Sequence, residues 1–318
     1  DSDPFNRWEA GQRLAMRCLL NLTHAVQNGQ PLTLDLAFID AQRKALNDAS
    51  LDPAFRELAL SLPSEAMIAE QLAIVDPQAI HTARQFVRKA MAQSIKGDLL
   101  TAYEANLTLG AYRPDAESAG KRGLKNLALS YLLEWSDEST VQLAKVQAEQ
   151  AENMTDRVAA LAALINSGSK GVKPIAAKAL RQFYSEFKNE ALVIDKWFSL
   201  QATANTTDVK AVRKLMLHPA FTLKNPNRAR SLVLSFCNGN PAQFHAADGS
   251  AYAFWAEQVI ALDAINPQVA ARLARSLDRW RKYSPALQLK MQQALQRVAK
   301  AKKISKDVLE IVSKALAS

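Results

Sequence analysis

The segment NPNRARSLVLSFCNGNPAQFHAADGSAYAFW, Asn225 to Trp255, gathers the side chains of this sequence with the most chemical potential. His245 and Asp248 stand at i and i+3, a spacing that could orient an acid–base pair. No nucleophile accompanies them, and Asp248-Gly249-Ser250 also reads as a turn that opens a helix, with His245 bonded locally. Three Asn-Pro pairs, Asn225-Pro226, Asn240-Pro241 and Asn266-Pro267, predict three helix N-termini. The Asn amide oxygen accepts a free N–H, and proline's fixed φ suits the first turn. On that register Arg228 falls at N3, Arg230 at N5 and Arg272 at N6. Cations near the positive end of a helix oppose its macrodipole by a few tenths to about 1 kcal/mol. Two readings follow: the arginines join free N–H groups in an anion site, or they pair with acidic neighbours and point into water.

Other chemistries lack their parts. The four histidines, His24, His81, His218 and His245, include no pair at i and i+4. There is no His-Glu-x-x-His, Cys-x-x-Cys, Gly-x-Ser-x-Gly or glycine-rich phosphate loop, so the chain is expected to carry neither a metal nor a nucleophile of its own. Cys18 and Cys237 lie among apolar neighbours and are expected as two buried free thiols, which favours a reducing compartment.

These residues must be positioned by helices. Only 10 of 318 residues are glycine, below the usual share of about 7%, and Ala, Leu, Lys, Gln and Arg abound. Apolar stripes recur at helical spacing: Leu124, Leu127, Ala128, Tyr131, Leu132 and Trp135 form one. Similar stripes run over Phe5–Val26, Pro77–Ile95, Tyr252–Leu262 and Pro267–Trp280, and roughly fifteen helices of ordinary length are expected. Trp8, Trp135, Trp197, Phe198, Phe254 and Trp255 are assigned to the core. Short Pro-marked breaks and no long linker predict one all-α domain over 1–318, an irregular HEAT/armadillo-like superhelix of antiparallel helix pairs.

The formal charge of +9 admits nucleic acid or an acidic partner, but no nucleic-acid-binding motif accompanies it. Its densest stretch, Arg297–Lys306, reads as an amphipathic helix with a solvated Lys face. No apolar run reaches the length of a membrane span, and DSDPFNRWEAGQRL is no signal peptide. The chain opens on Asp and not Met, so an excised piece with targeting information upstream is one expectation.

The run NPNRARSLVLSF…NPAQFHAADGSAYAF…NPQVAARLARSLDRWRKY resembles the C-terminal helical domain of bacterial aminopeptidase N, in the thermolysin-like zinc alanyl aminopeptidase family. DSDPFNRWEAGQ at the start, NMTDRVAALAAL at Asn153–Leu164, DKWFSLQA at Asp195–Ala202 and the terminal VSKALAS extend the resemblance along the chain. It implies a cytoplasmic metalloprotease that removes N-terminal residues from peptides. Zinc and the catalytic motifs would belong to a catalytic domain of the same polypeptide, and this portion, inactive alone, would cap the active site and wall a peptide chamber. It also implies substrate-binding roles for Arg230, Gln268 and Arg272, which match lining residues of the family. The alternative is a free-standing α-solenoid scaffold that binds protein or nucleic acid through a basic face.

Overall fold

A computed structural model describes residues 3–108 and 110–317. Nineteen α-helices, with one π-helical and two 3-10 turns, account for its regular structure among these residues. The only β element among them is an isolated bridge between Val75 and Tyr283. The all-α class is therefore as expected. The count exceeds fifteen because several helices are short and abut one another.

Contacts divide the chain into two compact units: residues 1–71 with 79–182, and residues 72–78 with 183–318. The first contains α1 (Pro4–Gln27), α2 (Leu36–Asn47), α3 (Pro53–Leu60), α4 (Glu65–Glu70), most of α5 (Pro77–Ser94), α6 (Lys96–Ala105), α7 (Ala116–Trp135), α8 (Glu138–Gln150), α9 (Met154–Asn166) and the start of α10 (Val172–Phe187). Capping follows from local chemistry: Asp3, Asp52 and Asp115 each accept the N–H three residues on, and Pro4 and Pro53 supply the fixed φ of a first turn.

Helix α7 organises this unit, packing against α3, α6, α8 and α9. Its stripe buries Leu124, Ala128, Tyr131 and Leu132 completely. The Tyr131 hydroxyl donates to the Leu60 carbonyl at 2.8 Å, and Arg88 lies over its ring. Gly120 lets α3 come close, because a Cβ there would sit 3.0 Å from the Ala54 backbone nitrogen. Trp135 departs from expectation. It ends the helix and is 52% exposed, since the chain turns at Ser136, with φ of 50°, before a further turn could cover it.

The second unit contains α11 (Ala191–Ala202), α12 (Val209–Met216), α13 (Pro226–Ala229), the π turn Arg230–Leu234, α14 (Ser235–Gly239), α15 (Pro241–Phe244), α16 (Ser250–Asp263), α17 (Pro267–Ala274), α18 (Pro285–Ala299) and α19 (Lys306–Ala317). Helix α16 is apolar on nearly all sides and buries Tyr252, Phe254, Trp255, Val259 and Leu262. Side chains of Trp and Phe size each contribute about 3–5 kcal/mol, measured as truncation to alanine. The buried indoles find acceptors: Trp255 Nε1 donates to Leu273 O at 2.9 Å and Trp280 Nε1 to Ala315 O at 2.8 Å.

Three expectations are corrected here. Pro267–Trp280 is not one helix: α17 stops at Ala274 and continues as 3-10 turns at Arg275–Leu277 and Trp280–Lys282. The tightening places Arg281 against the end of α19, where it donates to Ala315 O and Leu316 O and complements that terminus. The basic run Arg297–Lys306 is not one helix either. It spans the end of α18, a turn with Lys303 at φ 61°, and the first residue of α19. Both cysteines are free, but only Cys237 is buried; Cys18 is half-buried, and its thiol is pushed up to about 11, first by burial and then by Asp35. No helix among the described residues is long and apolar enough to cross a membrane.

Candidate functional site

The site is built on the segment that starts at Asn225. The Asn225 amide oxygen accepts the N–H groups of Asn227 and Arg228 at 3.0 and 3.3 Å, and Pro226 occupies the first turn. Arg228 and Arg230 therefore stand at the predicted positions, but the helix does not continue as α. From Arg230 to Leu234 it widens into a π turn. The Ser235 N–H reaches back five residues to Arg230 O, and the Ser235 hydroxyl donates to the same carbonyl at 3.2 Å. Such turns are rare and often mark functional positions. Nothing in the apolar run SLVL announces it.

The arginines have different fates. Arg228 is buried, and its Nη1 lies 2.9 Å from Asp195 Oδ1, a charge contact too skewed to count as a hydrogen bond. Its guanidinium also lies over the Phe198 ring at 5.3 Å. The acidic-neighbour reading therefore holds for Arg228. The same charge, after burial, helps lower the pKa of His218, which packs against Tyr184, Trp197 and Phe198.

Arg230 is exposed and donates to Asn227 Oδ1 at 3.2 Å. Gln268 and Arg272 are exposed one turn apart on α17, where residues i and i+4 share a face. That helix begins as predicted, with Asn266 Oδ1 accepting from Val269 N at 3.1 Å. No hydrogen bond or ion pair joins Arg230 to Gln268 or Arg272. Arg230 opens a turn packed on α11, while α17 packs on α16 and α19. What the three residues share is exposed polar groups that a ligand could reach, two of them guanidinium forks suited to a carboxylate.

The third Asn-Pro pair corrects its expectation. The Asn240 side chain accepts no capping bond. It points inward, where Nδ2 lies within hydrogen-bond distance of the carbonyls of Ala202, Ala204 and Thr207 at 3.1, 2.9 and 3.3 Å. The amide thus ties the end of α11 to the start of α15. Asn240→Ala, which strands three buried acceptors, is expected to cost about 2–3 kcal/mol in urea unfolding. A loss under half of that would mean that water replaces the amide.

His245 and Asp248 do not form an acid–base pair. His245 is buried with Nδ1 2.9 Å from the Tyr252 hydroxyl, and burial pushes its pKa down to about 3. Asp248 accepts from both N and Oγ of Ser250, and those bonds hold its carboxyl below the ordinary range. This is the helix-opening turn. Among the described residues no group of three or more His, Cys, Asp or Glu is placed to hold a metal ion. The donor set therefore does not fit zinc.

Residues 1–317 match the family described as "Domain of unknown function (DUF3458_C) ARM repeats". Curated relatives include proteins named Aminopeptidase N from Caulobacter vibrioides, 40% identical over 99% of this chain, and from Escherichia coli, 39% identical over 98%. The chain spans 36% of the length of each. Among solved structures, that of Legionella pneumophila aminopeptidase A in complex with aspartic acid is similar with a TM-score of 0.87 and 30% identity, covering 100% of this chain and 37% of that one. Helix-on-helix architecture and a match over nearly every residue agree: the chain belongs to the DUF3458_C ARM-repeat family, whose members here include portions of aminopeptidases.

Proposed function

We propose that this chain is the C-terminal, non-catalytic part of a cytoplasmic zinc aminopeptidase N that removes N-terminal amino acids from peptides. The observation that carries this reading is the share of length: nearly the whole chain aligns with about a third of proteins named Aminopeptidase N. Zinc and its ligands would lie in the catalytic part of the polypeptide, and this part would cap the active site and wall the chamber that admits peptides. As a single C-terminal domain it would present Arg230, Gln268 and Arg272 to the portion of the substrate beyond the scissile bond. A peptide that enters amino end first trails its carboxylate, and guanidinium groups without acidic partners would attract it.

The test is the peptidase rate of a separately expressed catalytic portion on an alanyl peptide, with and without this chain. The rate is expected to rise when the chain is added. With Arg272→Ala in the added chain, peptide turnover should fall about tenfold, the loss of about one charged hydrogen bond, while single-residue amides stay within twofold. Equal effects on both substrates would remove Arg272 from the peptide path. No stimulation by a folded chain, together with salt-steep binding to RNA or DNA, would support the scaffold reading instead.

A further inference from the structure

A second place in the molecule has the makings of a ligand site, on residues that the proposed function does not use. Between α6, α7, α8 and residues 110–113 ahead of α7 lies a cavity of about 450 Å³. Arg122, on α7, lines it and is only 4% exposed. Its Nη1 donates to the Arg113 carbonyl at 3.0 Å, and the guanidinium lies 4.7 Å from the Tyr112 ring centroid. No carboxylate pairs with it. With one carbonyl and one ring for company, the guanidinium turns its remaining donors to the open space of the cavity, where an acceptor could meet them.

The other charges around the cavity are accounted for. Lys125 is bonded to Asp156 at 2.6 Å, and Arg113 pairs with Asp115 at 3.3 Å. Glu152 stands exposed at the rim, and no ion pair joins it to Arg122. The interior therefore keeps one uncompensated positive charge. Beside it the wall is mixed: the exposed side chains of Leu107, Tyr112 and Val146 supply an apolar part, and Ser118, Gln147 and Gln150 a polar one.

We propose that this cavity binds a monocarboxylate with an apolar body, such as an acyl or aryl acid or the carboxylate end of an apolar amino acid. One planar fork stacked on an aromatic ring fits one planar carboxylate. A phosphate dianion would want a second free cation, which the cavity lacks. The apolar part of the wall receives the ligand's body.

The probe is 3-phenylpropionate, with 3-phenylpropionamide as the uncharged control, titrated into the 318-residue chain by calorimetry and ligand-observed NMR. Saturable binding of the acid, at least tenfold tighter than the amide, is expected. Arg122→Gln removes the charge while keeping a polar side chain and should weaken binding at least tenfold. Glu152→Gln, an exposed substitution with no bonds to lose, should tighten it about two- to threefold by removing a repelling charge. That second variant decides the matter even if Arg122→Gln fails to fold. Equal affinity for acid and amide, unchanged binding in Arg122→Gln, no response to Glu152→Gln, or inorganic phosphate competing as well as the carboxylate would each overturn the assignment.

Discussion

Asp156→Ala is expected to cost the fold about 3–5 kcal/mol, the loss found when one partner of a buried ion pair is removed. Its carboxylate gathers Lys125 Nζ at 2.6 Å, Asn126 Nδ2 at 2.8 Å and Asn153 Nδ2 at 2.9 Å. Its backbone carbonyl accepts from Gln147 Nε2 at 2.9 Å, and Gln147 in turn accepts from the Tyr103 hydroxyl, whose pKa is pushed up to about 12, chiefly by burial. The Lys125 and Asp156 side chains are only 5% and 4% exposed, so neither can turn to solvent when the other is cut back. The network joins α6, α7, α8 and α9 through polar contacts. Urea unfolding should show the loss, and the pair Lys125→Met with Asp156→Leu should recover part of it: a matched apolar pair removes both desolvation penalties, while the Asn126 and Asn153 amides lose their acceptor. A single-variant loss below 1 kcal/mol would mean that the lysine escapes to water.

The second large effect depends on pH. His245 faces the Tyr252 hydroxyl at 2.9 Å and the Tyr283 and Phe244 rings at 4.4 and 4.8 Å, with no carboxylate to welcome a proton. Its folded pKa of about 3 lies below the unfolded value of about 6.5. The unfolded chain therefore takes up the proton first. The contribution is whole above pH 6.5 and declines as pH falls toward 3, by up to ~1.4 kcal/mol per unit. Between pH 7 and 4.5 the wild type should lose about 2–3 kcal/mol more than His245→Asn, since carboxylate titrations are common to both. Parallel stability curves for the two proteins would show that the imidazole gains water or a proton without unfolding.

Much of the helical frame was legible because its signals are local. Asn225-Pro226 and Asn266-Pro267 place helix starts where the structure has them, and an N-cap needs only its own next three residues. Tertiary decisions escaped the sequence. Asn240-Pro241 carries the same local signal as its neighbours, yet three carbonyls from α11 and the turn after it take the amide inward. Trp135 continues a buried stripe but falls past the last covered turn. Arg228 and Arg230 are two residues apart in a cationic run, and only the position of Asp195 on another helix separates the buried one from the exposed one. Arg122 could not be singled out, because a lone arginine in a helix ordinarily lies in solvent. The family resemblance named Arg230, Gln268 and Arg272, whose exposure fits contact with a ligand, while spacing alone supplied only the two arginines.

The wide turn at Arg230–Leu234 places a constraint on length. It accommodates one residue more than an α-helix would between the same flanking turns. Deleting one residue there would let the segment close into α register with both flanks in place, whereas inserting a further residue would rotate everything after it by about 100° and shift it by about 1.5 Å. Phe236 and Cys237, both buried, would leave their places, and Asn240 would lose its three carbonyls together. Substitutions along this stretch can be judged one side chain at a time. Insertions cannot, because they re-index every contact downstream, and related chains that keep this packing are expected to have either this residue count between Asn225 and Asn240 or one residue fewer.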